Sequence, residues 1–190
     1  HLLLAPFTMH RRVIDMIRRE TKHAREGKPA RIVAKMNALL EEGVIRALHA
    51  ASQAGVEIDL VVRGACALRP GVRGLSDNIR VRSILGRFLE HHRVWFFANA
   101  GTPDVWLTSA DWMGRNMFRR IEVAFPVRDA VLRQRVVEEG LSACLADLVR
   151  RMGKGNRFGA RRGFMASCSS SALISHNRRA AVKLSFAWPR

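Results

Sequence analysis

Between Arg63 and Arg93 the chain carries seven arginines (Arg63, Arg69, Arg73, Arg80, Arg82, Arg87 and Arg93) against two acids, Asp77 and Glu90. Guanidinium groups stay charged and present forked donors that match phosphate oxygens. Taken singly, such an arginine reads first as part of a solvated basic face. Arg63 reads differently, because it closes the apolar run Leu60-Val61-Val62 immediately before Gly64, and central strands of open α/β sheets end at the crevice where ligands sit. His91 follows in Glu90-His91-His92-Arg93, where an imidazole could carry a proton or accept a phosphate, with the charge of Arg93 two residues on. Spacing alone favours a surface histidine there over a catalytic one. Glu122 starts a strand after Arg119-Arg120-Ile121. It is open between a salt-bridged strand residue and a carboxylate that orients His91 or organises a metal–phosphate complex. His10, His23 and His49 lie on helical segments without partners at ligand spacing and read as surface or boundary residues.

The order His91-His92-Arg93 and then Thr108-Ser109-Ala110-Asp111 resembles a degenerate phospholipase D half-site, in which His-x-Lys precedes Gly-Ser-x-Asn. Here Arg93 replaces the lysine, Asp111 replaces the asparagine, and Ala98 occupies the position where the half-site has an aspartate. These departures argue against a phosphodiesterase and leave Arg93, Ser109, Asp111 and Glu122 as supporting residues.

The elements that must position these residues alternate in type. Leu2-Leu3-Leu4-Ala5 reads as a short buried strand. Thr8 opens an amphipathic helix that holds Val13, Ile14, Met16 and Ile17 among Arg11, Arg12, Arg18, Arg19 and Glu20, and Gly27 and Pro29 end it. Residues 31–36 read as a second strand, 41–54 as a second helix closed by Gly55, and 57–62 as a third strand. That β-α-β-α-β order predicts a parallel sheet covered by helices. Residues 65–76, with Pro70, Gly71 and Gly74, read as a loop of functional length. Short strands are expected at 79–84, 94–97, 105–108 and 121–125, with a turn at 99–103. A helix over 129–148 would offer Val131, Val136, Leu141, Leu145 and Leu148 to a core.

Composition bounds the rest. Hydrophobic residues make up 48% of 190, enough for one packed domain. No apolar run reaches the roughly 18 residues of a membrane helix, and Leu2 to Phe7 is too short for a secretory signal. The chain starts with His1 inside an apolar run and reads as one whose N-terminus is missing. Cys66, Cys144 and Cys168 are odd in number and lack a C-x-x-C pair, which argues against disulfides and zinc and fits a reducing cytoplasm. The net charge is +17, yet no acid follows Asp147, while Arg150, Arg151, Lys154, Arg157, Arg161, Arg162, Arg178, Arg179, Lys183 and Arg190 do. Without those ten the body retains 23 basic and 16 acidic residues, still suited to a polyanion. The tail has no clear period and is expected to be disordered.

Longer words carry a resemblance. Ile32-Val33-Ala34-Lys35-Met36-Asn37, Leu60-Val61-Val62-Arg63-Gly64, Leu68-Arg69-Pro70-Gly71 and Gly74-Leu75-Ser76-Asp77-Asn78-Ile79-Arg80-Val81 are similar to polyphosphate kinases of the first family. Gly86-Arg87-Phe88-Leu89-Glu90-His91 and Ser109-Ala110-Asp111-Trp112-Met113-Gly114-Arg115-Asn116 extend the likeness, which covers about residues 2 to 148. It implies an α/β, phospholipase D-like sheet flanked by helices over residues 1–149, followed by a basic tail over 150–190. In that tail nothing matches, and its composition resembles a wrong reading frame, with a genuine basic extension as the alternative.

The resemblance further implies a fragment of an enzyme that polymerises the terminal phosphate of ATP into inorganic polyphosphate. Arg63 and His91 match residues that contact nucleotide phosphates, and His91 would also serve in proton transfer as the catalytic residue of this segment, with Glu122 nearby. The phosphate-accepting histidine, the metal-associated arginines and most of the hold on Mg2+ belong to the preceding domain. No metal site is expected in this chain, which is expected to be inactive alone. ATP, ADP and polyphosphate are the implied partners, with homo-oligomers in the full-length protein. The implied location is cytoplasmic, leaving membrane association of the full-length protein open. Two alternatives stand beside it: a basic polyanion-binding module whose tail binds nucleic acid nonspecifically, and a degenerate phospholipase D-like hydrolase.

Overall fold

The computed structural model describes residues 2–84 and 89–146. The expected tail over 150–190, Arg87, Leu148 and Cys168 lie outside the described residues. In chain order the elements are β1 (Leu3–Ala5), α1 (Met9–Arg25), β2 (Arg31–Met36), α2 (Glu42–Gln53), β3 (Glu57–Val62), β4 (Ile79–Arg82), β5 (Arg93–Phe97), β6 (Asp104–Thr108), α3 (Gly114–Phe118), β7 (Glu122–Pro126), α4 (Ala130–Val137) and α5 (Ala143–Ala146). A π-helical stretch, Glu138–Ser142, joins the last two. None of these helices is long and apolar enough to cross a membrane.

The seven strands form one sheet in the order β1-β7-β6-β5-β2-β3-β4. The parallel direction expected for β1, β2 and β3 is found, but β1 is not a neighbour of β2: only the pairs β2–β3 and β3–β4 are parallel, and every other neighbouring pair is antiparallel. The cause is connection length. Helix α2 supplies the crossover a parallel neighbour needs, whereas β5 and β6 are joined by a short turn that permits only antiparallel pairing. The three strands β5, β6 and β7 therefore stand between β1 and β2. By these directions the C-terminal ends of β1, β2, β3, β4 and β6 share one edge of the sheet with the N-terminal ends of β5 and β7.

Period-two alternation sorts the strand residues onto two faces. Ile32, Ala34, Met36, Ile58, Leu60, Val62, Trp95 and Phe97 meet α1 and α2 in the main core. Helix α1 contributes Met9, Val13, Met16 and Ile17 at helical spacing, all nearly inaccessible. Both helices stop in the same way. Gly27 (φ 68°) and Gly55 (φ 94°) adopt the left-handed conformation, and the next residue bonds back, Lys28 N–H to His23 O and Val56 N–H to Ala51 O. On the other face, Val33, Val94, Phe96, Val105 and Leu141 form a smaller core beneath the 130–146 segment. Val131, expected there, is instead exposed along with Leu132, because only the second half of that segment turns inward.

Polar groups join the layers. Glu20, grouped by sequence with the polar side of α1, is fully buried and accepts the backbone N–H groups of Arg31 (3.1 Å) and Asn99 (2.9 Å). Burial raises its pKa despite those bonds. Asp59 on β3 is buried beneath Arg80 (Nε–Oδ1 2.8 Å), Arg31 (Nη2–Oδ2 2.9 Å) and Arg82 (3.6 Å). Burial pushes the Asp59 carboxyl upward, but the Arg80 and Arg31 guanidinium groups outweigh it and hold it below the usual aspartate value.

Two outcomes follow from these contacts. Asp59→Asn should lower stability in urea by about 2 kcal/mol, less than the roughly 3–5 kcal/mol of a fully buried pair because Arg80 and Arg31 reach water. Since the folded pKa is depressed, that contribution is complete above about pH 5 and fades as pH falls through the folded value. The variant should lack this part of the acid sensitivity, and an unchanged urea midpoint would contradict the assignment. Ala100, in the β5–β6 turn, is held at φ 52°. Ala100→Gly should raise the unfolding midpoint, since the left-handed region costs a β-carbon about 1 kcal/mol.

Candidate functional site

The chain leaves β2 at Asn37 and continues as a short rung between two others. Leu39 bridges Cys66 on one side and Trp112 on the other. Its N–H donates to Ala65 O (2.9 Å), and the Trp112 carbonyl accepts the N–H groups of Leu40 (2.8 Å) and Glu41 (2.9 Å). Trp112 is fully buried and packs against Trp95 with ring centroids 5.9 Å apart. Glu41 then caps α2 by accepting from Gly43 and Val44 N–H (3.0 and 2.7 Å). His10 contacts the same carboxylate at 3.0 Å and the ring of Phe118 at 4.6 Å, so it is a structural tie rather than a free surface residue. Burial would raise the Glu41 pKa, but the two N–H bonds and His10 bring it below its ordinary value. His23 and His49, half-buried on α1 and α2, are pushed below theirs by desolvation.

The central knot of this edge is Asp111, buried just beyond β6. Its Oδ1 accepts the Asn37 N–H and the Arg93 Nε–H, each at 2.8 Å, and its Oδ2 accepts from Arg93 Nη2 at 3.2 Å. Arg93 also donates to the His91 carbonyl at 3.2 Å. Asp111 and Arg93, both supporting candidates from the sequence and 18 positions apart, thus close on each other and join the ends of β2, β5 and β6. A half-site cation committed to an internal carboxylate is poorly placed to serve a phosphodiester, which counts against the hydrolase alternative.

Glu122 does not orient His91. It stands at the start of β7, two strands from β5, and its oxygens accept from Ser109 Oγ and from Asn116 Nδ2 (2.6 Å). Ser109 in turn accepts Val123 N–H at 3.1 Å, so Ser109 and Glu122 lock β6 to β7. Asp111 is thus committed to the Arg93 guanidinium and the Asn37 N–H, whereas Glu122 accepts from neutral donors.

Of the seven arginines, the six among the described residues separate by environment. Arg80 and Arg82 serve Asp59, Arg93 serves Asp111, and Arg69 and Arg73 are exposed on the loop after β3. Arg63 is half-buried just past β3, with its carbonyl accepting from Ser83 at 3.3 Å. Its Nη1 is buried without a hydrogen-bond partner among the described residues, and so is Asn37 Oδ1. The two backbones touch: Gly64 N–H donates to Asn37 O at 2.7 Å, and a β-carbon on Gly64 would lie 3.0 Å from that oxygen. With strands about 4.8 Å apart, the ends of β3 and β5 stand about 10 Å apart across β2, so Arg63 and His91 flank Asn37.

His91 itself is exposed, and its ring has no partner among the described residues. Its two neighbours are anchored by Lys35, which sequence reading passed over because a lysine in an apolar strand looks like a solvent-facing position. Lys35 is 2% exposed, and its Nζ lies 2.5 Å from Glu90 Oε2 and 2.7 Å from His92 Nε2. The Lys35 hydrogen bond and charge lower the Glu90 pKa. Glu90, His92 and Cys144 lie close enough together to suggest a metal site, but the Lys35 ammonium already sits against two of the three. Cys66 is inert for another reason, since burial pushes its thiol up to about 11.

Comparison with known proteins bears on the fold and the family. The family profile of polyphosphate kinase C-terminal domain 2 matches residues 2–158. A polyphosphate kinase of Burkholderia lata is 66% identical over 143 residues, which is 75% of this chain and 21% of that protein. The chain thus spans about a fifth of the length of such relatives. The crystal structure of polyphosphate kinase from Porphyromonas gingivalis superposes with a TM-score of 0.70 at 44% identity, covering 72% of this chain and 21% of that one. A phospholipase D family member, Nuc from Salmonella typhimurium, gives a TM-score of 0.57 at 15% identity over 80% of this chain and 95% of its own, a likeness of fold alone. A knotted sheet edge, a phospholipase D-like sheet and the matched profile lead to one assignment: the chain belongs to the polyphosphate kinase family, as its C-terminal domain 2.

Proposed function

We propose that this chain supplies one wall of an ATP:polyphosphate phosphotransferase site: it binds the phosphates of nucleotide and polymer but does not accept the phosphoryl group. The observation that carries the reading is the buried, unpartnered Nη1 of Arg63 at the sheet edge. A desolvated cationic donor without an acceptor is costly, and a phosphate oxygen would satisfy it. Beside it, either end of the Asn37 amide could meet a ligand, and His91 offers an uncommitted imidazole for proton transfer.

Phosphoryl transfer depends on positioning and on neutralising charge spread over the transferred group. Arg63 contributes charge, and His91 holds or moves a proton at the nucleotide side. Lys35 fixes the backbone on both sides of His91 through Glu90 and His92, making it a positioning residue. In this reading the histidine that takes the phosphate, and most of the hold on Mg2+, belong to a domain that precedes this segment.

Two measurements test this reading. Arg63→Ala should weaken ATP and polyphosphate binding in low-salt calorimetry by about tenfold or more, the worth of one charge-assisted hydrogen bond; equal affinity would remove Arg63 from the site. Lys35→Met should lower ATP affinity severalfold in the wild-type background but add nothing once His91→Ala is present, with Lys35→Arg restoring binding. Losses that simply add would show that Lys35 acts on stability and not through His91.

A further inference from the structure

A cavity extends away from the knotted edge. It is a trough of about 710 Å³ between α1 and α2, on the outer side of the helix layer. It exists because α2 presents Gly43, Ala47 and Ala50 to it, residues too small to fill the space opposite Ile14 and Thr21 of α1. Its rim is cationic: Arg11, Arg18, Lys22 and Arg25 come from α1 and Arg46 from α2, with Asp15 the one carboxylate among the lining residues. Lys22 and Arg46 pair with Glu26 and Glu42. Arg11, Arg18 and Arg25 are exposed and have no ion-pair partner among the described residues.

Those three arginines recur every seven positions, which puts them on one stripe of α1 about 10.5 Å apart, a row of free positive charge about 21 Å long. The direction of the row matters as much as its sign. Helices α1 and α2 each follow a strand that ends at the site edge, so the His10, Arg11 and Gly43 end of the trough opens at that edge. The Arg25 and Ala50 end lies at the far side of the sheet.

We infer that this trough is a second anion-binding site, a track that holds linear inorganic polyphosphate as it leaves the sheet edge. The inference rests on the phosphotransferase reading for the identity of the anion, while the cationic trough is observed independently of it. A chain with charge on every unit and no side groups fits a narrow groove with small residues on its floor. Single-stranded nucleic acid fits less well, because its binding grooves offer aromatic platforms for the bases, and no Phe or Trp lines this one.

The test compares two triple variants of the 190-residue chain with equal net charge. Arg11→Gln/Arg18→Gln/Arg25→Gln empties the rim, whereas Arg12→Gln/Arg128→Gln/Arg133→Gln removes the same charge elsewhere. Fluorescence anisotropy with labelled long-chain polyphosphate should show the rim variant binding about tenfold or more weakly, with a salt slope shallower by about two, the loss of about three released counterions. The control should stay close to wild type, and Arg11→Lys/Arg18→Lys/Arg25→Lys should recover most of the affinity.

Equal losses in the rim and control variants would overturn the track, as would equal wild-type affinity for a single-stranded RNA of matched charge. The two proposals fail separately. If Arg63→Ala leaves ATP binding unchanged while the rim variant loses polyphosphate, the edge reading fails and the track stands. The reverse pattern keeps the edge and removes the track.

Discussion

The candidate site depends on the bidentate contact between Asp111 and Arg93, completed by the Asn37 N–H. The carboxylate is 4% exposed, and such a group stays charged only if its oxygens are satisfied. Satisfying them takes one donor from the end of β2 and a guanidinium from the start of β5, both brought to a residue beyond β6. One desolvated charge therefore sets the relative position of three strand ends. Everything else at the edge is placed with respect to it: Gly64 and Arg63 through the Asn37 carbonyl, His91 through the carbonyl held by Arg93, and the start of α2 through Trp112.

The mixed topology explains why this knot lies beside Arg63. Parallel β2 and β3 bring Asn37 and Arg63 to the same edge, and the antiparallel meander folds the start of β5 and the end of β6 back to it. A fully parallel sheet would put the start of β5, with His91, on the opposite side from Arg63. The departure from the simple βαβ pattern is therefore what assembles the site. It also leaves α1 and α2 running away from the edge, with a trough between them made by the small residues of α2.

Charge in this chain does several jobs that look alike in one dimension. Arg80 and Arg82 neutralise Asp59, Arg93 holds Asp111, and Arg11, Arg18 and Arg25 line a groove. Among the six described arginines of the 63–93 stretch, Arg63 alone has a buried donor without a partner. The difference is set by partners 18 to 23 positions distant in the chain, beyond the reach of local spacing. Glu20 shows the same limit, since its carboxylate serves Asn99, 79 residues away.

Local physics read from the sequence alone determined the strands at 31–36 and 57–62, the two long helices with their glycine stops, and the short strands between residues 79 and 126. Hydrophobic period and backbone propensity act within a few residues, so these were legible before any fold was known. The words around Arg63, His91 and Asp111 likewise carried the family. Tertiary structure decided which strands are antiparallel, that Glu122 serves Ser109 and Asn116, that Lys35 holds the neighbours of His91, and that the basic residues of α1 face a trough. These are matters of which desolvated groups meet across the sheet, and that pairing is settled only when the whole chain buries its apolar surface at once.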